Sequence, residues 1–185
     1  MNTMKLRKVS NALVLASVLG AGLGLSTSAQ SANTTANLSV TASVTANCTI
    51  STSAVAFGAY DPVVANAATA LNGTGSVTIA CTKGSAPNIT LGLGQNASGS
   101  QRNMKLGSGA DLLAYELYQP PNTAPGTACT FPGSTVWGTS GSNIFTPTAP
   151  ASKAGRTYNV CGTVAAGQDV SVGAYSDTVV ATVNF

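Results

Sequence analysis

Short apolar or alternating segments punctuated by Gly, Asn, Pro and Ser, the lack of any 3.6-residue apolar period held for three turns, and four widely spaced cysteines predict an all-β chain. The architecture these signals favour is a two-sheet antiparallel sandwich of immunoglobulin-like type, with a closed barrel as the alternative.

The elements follow in chain order. Lys5, Arg7 and Lys8 precede an apolar run from Ala12 to Leu25 and then "STSA", the layout of a secretory signal peptide over residues 1–29, with cleavage after Ala29 or at Ala32. The run is shorter than the roughly 20 apolar residues of a membrane-spanning helix and contains several glycines. About 155 residues remain after its removal, enough for one domain with one core.

Residues 36–50, "ANLSVTASVTANCTI", alternate strictly. Ala36, Leu38, Val40, Ala42, Val44, Ala46, Cys48 and Ile50 share one face of an extended chain, and the Asn, Ser and Thr between them share the other. A typical strand has about 5 to 6 residues, so this run exceeds what one sheet needs. "AVAFGAY" (54–60) reads as a strand ended by a turn at "DP". "GSVTIACT" (75–82) places Val77, Ile79 and Cys81 on one face, and "NITLGLG" (88–94) aligns Ile89, Leu91 and Leu93 before the polar loop "QNASGSQ".

"LLAYELYQ" (112–119) has helical propensity, yet its Gly-rich and Pro-rich borders and the tyrosines Tyr115 and Tyr118 favour a strand. "QPPNTAPGTACTFPG" (119–133) holds too much proline to pair and reads as a long loop tied down at Cys129. "STVWG" supplies the sole tryptophan, and "TYNVCGTVA" (157–165) is a strand carrying Cys161. The ending "AYSDTVVATVNF" aligns Tyr175, Val179, Ala181, Val183 and Phe185 on one face as core residues of a terminal strand.

Three of the eight Lys and Arg lie in the leader; the other five balance Asp61, Asp111, Glu116, Asp169 and Asp177. A nearly neutral exported chain has no basic stripe to neutralise phosphates, so neither nucleic acid nor an anionic membrane is an expected partner. With no histidine, a Ser–His or Cys–His pair and most catalytic metal sites cannot be built. Asp111 and Glu116 fall at odd spacing on the strand and face opposite sides, unlike a glycosidase pair. Asp61 suits a turn and Asp177 a strand entry. The expectation is a protein that is not an enzyme, with no cofactor, metal or small-molecule substrate. Sequons such as "NCT" and "NGT" reflect the abundance of Asn and Thr.

Cys48, Cys81, Cys129 and Cys161, even in number in an exported chain, read as two disulfides; three pairings are open to sequence arithmetic. A zinc site lacks both a CxxC knuckle and histidine.

Taken in order, "SVTANCTI", "FGAYDP", "GSVTIACT", "QRNMKL", "LLAYELY", "VWG" and "GAYSDTVVATVNF" resemble the spore coat protein U domain family, which includes subunits of archaic, Csu-type chaperone–usher pili. The resemblance covers nearly all of the chain after the leader. It implies an incomplete immunoglobulin-like antiparallel β-sandwich completed by donor-strand exchange. A groove left by a missing strand is filled first by a periplasmic chaperone and then by the N-terminal segment of a neighbouring subunit.

On that basis residues 30–46 are a donor segment leading into the first strand, with Leu38, Val40, Ala42 and Val44 as the residues it inserts. Residues 47–185 are the pilin-like sandwich, and Val183 and Phe185 lie on the terminal strand a chaperone holds. The family pattern favours a Cys48–Cys81 bridge, and parity leaves Cys129 with Cys161. The implied partners are identical or homologous subunits in a head-to-tail polymer, a periplasmic chaperone and an outer-membrane usher. The implied location is the cell surface, reached through the periplasm, as a pilus, fimbrium or coat serving attachment or biofilm formation. A self-complemented secreted binding domain is the alternative.

Overall fold

The structure, a computed structural model, describes residues 31–185, so the signal-peptide reading of residues 1–29 lies outside the described residues. Residues 31–47 form no strand. Ala42–Phe185 is one compact unit. It contains β1 Cys48–Ala56, β2 Leu71–Cys81, β3 Asn88–Leu91, β4 Arg102–Leu106, β5 Leu112–Tyr118, β6 Arg156–Val164, β7 Tyr175–Ser176 and β8 Ala181–Asn184, with a single 3-10 turn at Gly141–Asn143.

A six-stranded antiparallel sheet in the order β1-β2-β6-β5-β4-β7 faces a two-stranded sheet, β3-β8. Two separate sheets with the core between them make a sandwich, not a barrel. The alternation of the sequence explains which side faces in. Val77, Ile79 and Cys81 of β2, Leu113, Tyr115 and Leu117 of β5, and Tyr158, Val160 and Val164 of β6 are buried together with Ile89 and Leu91 of β3. "LLAYELY" is a strand because Leu113, Tyr115 and Leu117 fill this face while its backbone pairs with β4 and β6 on either side.

Trp137, Phe145 and Tyr158 stack with centroid separations of 4.9 and 5.0 Å, and the Trp137 indole N–H donates to the Ile89 carbonyl at 2.9 Å. Each such aromatic pair contributes about 0.5–1.5 kcal/mol beyond the area it buries.

Cys48 lies directly opposite Cys81 in the β1–β2 register, Cα–Cα 4.1 Å, and the two are bridged. Cys129 joins Cys161 at a Cα–Cα distance of 5.5 Å. Cys161 alternates away from the core yet is buried, because the loop after β5 covers that face. Asn159, pointing the same way, donates its amide to the Thr127 carbonyl at 2.8 Å.

Pairing defines two poles. The start of β1, the end of β2, the loops 82–87 and 146–155 and the chain terminus lie at one, since Cys48 faces Cys81, Gly84 N–H donates to the Pro150 carbonyl and Asn184 faces Asn88. The loops 57–70, 107–111 and 165–174 lie at the other. They are joined by Gly167 N–H to the Asn66 carbonyl, Gln168 N–H to Tyr60 Oη and Ser171 N–H to Asp111 Oδ2, each at 2.8 Å.

Two expectations need correction. The stretch 54–60 is not a strand of its own: residues to Ala56 belong to β1, and the chain leaves the sheet through Gly58, whose φ of 79° is open to glycine. The terminal stretch is not one strand with one face. β7 joins the large sheet and β8 the small one, because Asp177 between them is pulled onto the 94–96 loop. Phe185 extends past Asn88, the last partner of β8, and is 54% exposed, so it is not a core residue; Val183, opposite Ile89, is partly buried against the core.

Candidate functional site: a groove between two unpaired strand edges

β1 pairs only with β2, and β8 only with β3, so each presents an outer edge that no described strand occupies. The two approach each other across the sandwich without hydrogen bonding. Along the β1 edge runs a groove in two connected parts of about 460 and 750 Å³ that share Val55, Phe57, Met104 and Tyr175; the first reaches Ala181 at the start of β8, and the second continues between residues 55–62 and 170–175. Val77, Leu91, Leu117 and Val160 form the floor of the first part. Ile50, opposite Ile79 on the core-facing side of β1, stays exposed because nothing lies over it.

Opposing walls run in opposite directions. In the first part Thr52–Phe57 faces the segment Tyr175–Ala181; in the second, residues 55–62 face 170–175. A strand laid between them would therefore be parallel to one edge and antiparallel to the other.

The local shape comes from glycine. The register slips between Ser53/Ser76 and Ala56/Thr74, one extra residue in β1, so the inward phase changes from Ile50 and Thr52 to Val55 and Phe57. The bulged segment crosses bare backbone: a Cβ on Gly75 would lie 2.7 Å from Ser53 O and Val55 Cγ2, and one on Gly162 2.7 Å from Phe57 Cζ. Only hydrogen at these positions lets Val55 and Phe57 drop into the groove, where Phe57 meets Tyr115 edge-on at 6.0 Å.

Polar groups lock the remaining boundary. Asp177 Oδ1 accepts N–H donors from Gln95 at 2.9 Å and Asn96 at 3.2 Å, and its Oδ2 accepts the Tyr115 hydroxyl at 2.7 Å. Burial, reinforced by Asp177, holds the Tyr115 phenol far above the usual tyrosine range.

Below the floor, Arg102 is fully buried. It donates from Nε and Nη2 to the Gly92 carbonyl at 3.0 and 2.7 Å, from Nη2 to Leu91 O at 3.1 Å and Trp137 O at 2.7 Å, and pairs with Glu116 through Nη1. Asp111, which just precedes β5, instead receives Ser171 N–H, and Asp61 caps its own turn by accepting Val63 N–H at 2.9 Å and Val64 N–H at 3.1 Å. Among the described residues no cluster of three or more His, Cys, Asp or Glu could hold a metal ion, and no helix is long and apolar enough to cross a membrane.

Leu38, Val40 and Val44 are 88, 84 and 84% exposed, Ala42 is also exposed, and none lies in a strand. Ala42–Ala46 are not part of β1, which begins at Cys48. Phe57, Met104 and Arg102 belong to the groove or its support and were not singled out as site residues. The signal that could have found the first was glycine inside strands, at 73, 75 and 162.

The Spore Coat Protein U domain profile matches residues 34–182, nearly all of the described chain. The chain belongs to the spore coat protein U domain family. It is 38% identical over 153 residues to "Protein U" of Myxococcus xanthus, an alignment covering 75% of this chain and 77% of that one. Its fold is similar to a chain in the crystal structure of the chaperone–tip adhesion subunit pre-assembly complex from archaic chaperone–usher Csu pili of Acinetobacter baumannii. The TM-score there is 0.51 at 23% identity, over 77% of this chain and 40% of that chain. This chain thus spans about two fifths of that protein, and the likeness is one of fold: an immunoglobulin-like sandwich, here with two facing edges left unpaired.

Proposed function

We propose that the protein is a structural subunit of a pilus or coat that polymerises by strand exchange. In this reading the segment 30–46 of one copy places Leu38, Val40, Ala42 and Val44 in the groove between β1 and β8 of the next. The observation that carries it is the pairing of opposites in one chain: a groove flanked by two free strand edges, and an alternating apolar segment that lies in no strand and leaves its large side chains in solvent.

An inserted strand supplies ladder hydrogen bonds to both edges for affinity and alternate side chains to the floor for specificity. Burying Leu38, Val40 and Val44 contributes roughly 5–9 kcal/mol at about 1.5–3 each. Because donor and groove are different surfaces, the contact is head-to-tail and propagates into a filament. Before assembly the same groove needs a temporary strand, which the proposal assigns to a periplasmic chaperone contacting β8 up to Val183 and the exposed Phe185. An outer-membrane usher and a cell-surface location complete the route, with surface attachment or biofilm formation as the role. The leader is the export signal, and no catalysis is invoked.

Leu38→Asp combined with Val40→Asp tests this. The variant is expected to fold with both disulfides and to accept a peptide of residues 34–47, but not to extend a polymer seen by electron microscopy. Polymers of normal length from the variant would refute the proposal.

A further inference from the structure

The charges of the sandwich are sorted by pole. Arg102 and Glu116 cancel inside the core, which leaves four acids and four bases in the described chain. Asp61, Asp111 and Asp169 sit on the cross-tied loops of the far pole, and Asp177 lies on the groove wall toward it. Lys83 and Lys153 are exposed on the loops 82–87 and 146–155 of the opposite pole, where Arg156 donates to the Thr148 carbonyl. Only Lys105 breaks the pattern. A nearly neutral chain is thus acidic at one end and basic at the other.

The acidic pole also carries the most exposed valines of the sandwich. Val63, Val64 and Val172 are 81, 77 and 100% exposed on loops that border the second part of the groove. The backbone beneath Val63 and Val64 is fixed by the Asp61 carboxylate, so these side chains are held outward with little conformational freedom left to lose on docking. The basic pole offers an apolar counterpart in the half-exposed Phe185.

We infer that these poles are the two halves of a second contact between copies of this chain: the Lys83/Lys153 pole of one copy seats on the Val63/Val64/Val172 pole of the next. The inference rests on the strand-exchange reading, which supplies the tether. Asn47 is tied to Thr82 at the basic pole, by its N–H to Thr82 Oγ1 at 3.1 Å and its carbonyl to Thr82 N–H at 2.8 Å. Only Thr45 and Ala46 separate it from Val44, a reach of roughly 10 Å for an extended chain. A donor seated through Val44 therefore brings its own basic pole to the mouth of the groove it fills. Leaving through the acidic end meets opposite charge and exposed valines; leaving through the basic end would set two pairs of lysines against each other.

The test uses the full chain, exported and assembled, as a mixture of isotopically light and heavy copies treated with a zero-length carbodiimide cross-linker. Mixed-isotope cross-links from Lys83 or Lys153 to Asp169 are expected. The double variant Lys83→Glu/Lys153→Glu, which has no amine at either position, should lose these links; mixed with Asp169→Lys copies, it should regain links between opposite poles, with the amine now supplied by position 169. Polymer that forms without cross-links between opposite poles, or with lysine-to-lysine links between copies under an amine-reactive reagent, overturns the inference. If no polymer forms, the Leu38→Asp/Val40→Asp chain is titrated with the 34–47 peptide: binding leaves strand exchange standing and overturns the pole contact, whereas no binding overturns both.

Discussion

Replacing Arg102 by Met removes the one cation in the core and should cost about 3–5 kcal/mol, the range for breaking a buried ion pair from one side. The magnitude follows from what is left behind. The Leu91, Gly92 and Trp137 carbonyls lose their donor, and Glu116, 24% exposed, keeps its charge with only the Leu117 N–H to offset it, at 2.9 Å. Glu116→Gln should cost less, about 1.5–3 kcal/mol, because the amide oxygen can still accept from the guanidinium. The double variant Arg102→Met/Glu116→Leu should be more stable than Arg102→Met alone, since it removes the stranded carboxylate.

The assay is urea unfolding of the Leu38→Asp/Val40→Asp chain, which is expected not to polymerise, followed by Trp137 fluorescence. Trp137 is the sole tryptophan, is fully buried and accepts from Arg102 through its own carbonyl, so its emission reports the loss of this core directly. An Arg102→Met cost under about 1 kcal/mol, or strict additivity in the double variant, would refute the claim that this pair holds the groove floor.

Removing the Cys48–Cys81 bridge with serines releases a 33-residue constraint, worth about 4 kcal/mol in the chain-entropy model, and should lower the urea midpoint; an unchanged midpoint would count against a stabilising role. Gly75→Val drives a side chain into Ser53 O and Val55, so peptide 34–47 should no longer bind even where Trp137 remains buried, measured by titration against the parent chain. Burial raises the Tyr115 and Tyr158 phenols above their unfolded value near 10, so the stability they contribute is present below about pH 10 and is lost as pH rises through the folded values. Their phenolate absorbance should therefore appear only in step with the loss of Trp137 emission. Ionisation ahead of unfolding would contradict the packing described.

On the proposed reading, strand exchange and polarised ends give a subunit two ways to read its neighbour: ladder hydrogen bonds and side-chain pockets for the inserted strand, and a charge-dependent contact that salt weakens at the poles.

Local pattern alone determined the all-β class, the strands at 75–82, 112–119 and 157–165, the inward face of Val77, Ile79 and Cys81, the turn at Asp61 and the long alternating segment before Cys48, because backbone alternation and turn chemistry act over a few residues. The resemblance to the family implied a missing strand and a donor to fill its place. What tertiary structure decided depends on residues far apart in the chain. The bulge at Ser53–Ala56 exists because Gly75 and Gly162 lie beneath it, the terminal stretch divides between two sheets because Asp177 is held by Gln95, Asn96 and Tyr115, and Lys83 and Lys153 lie at the pole opposite Asp61, Asp111 and Asp169 because the hairpins return each loop to its own end. No window of sequence contains such neighbours; only folding brings them together.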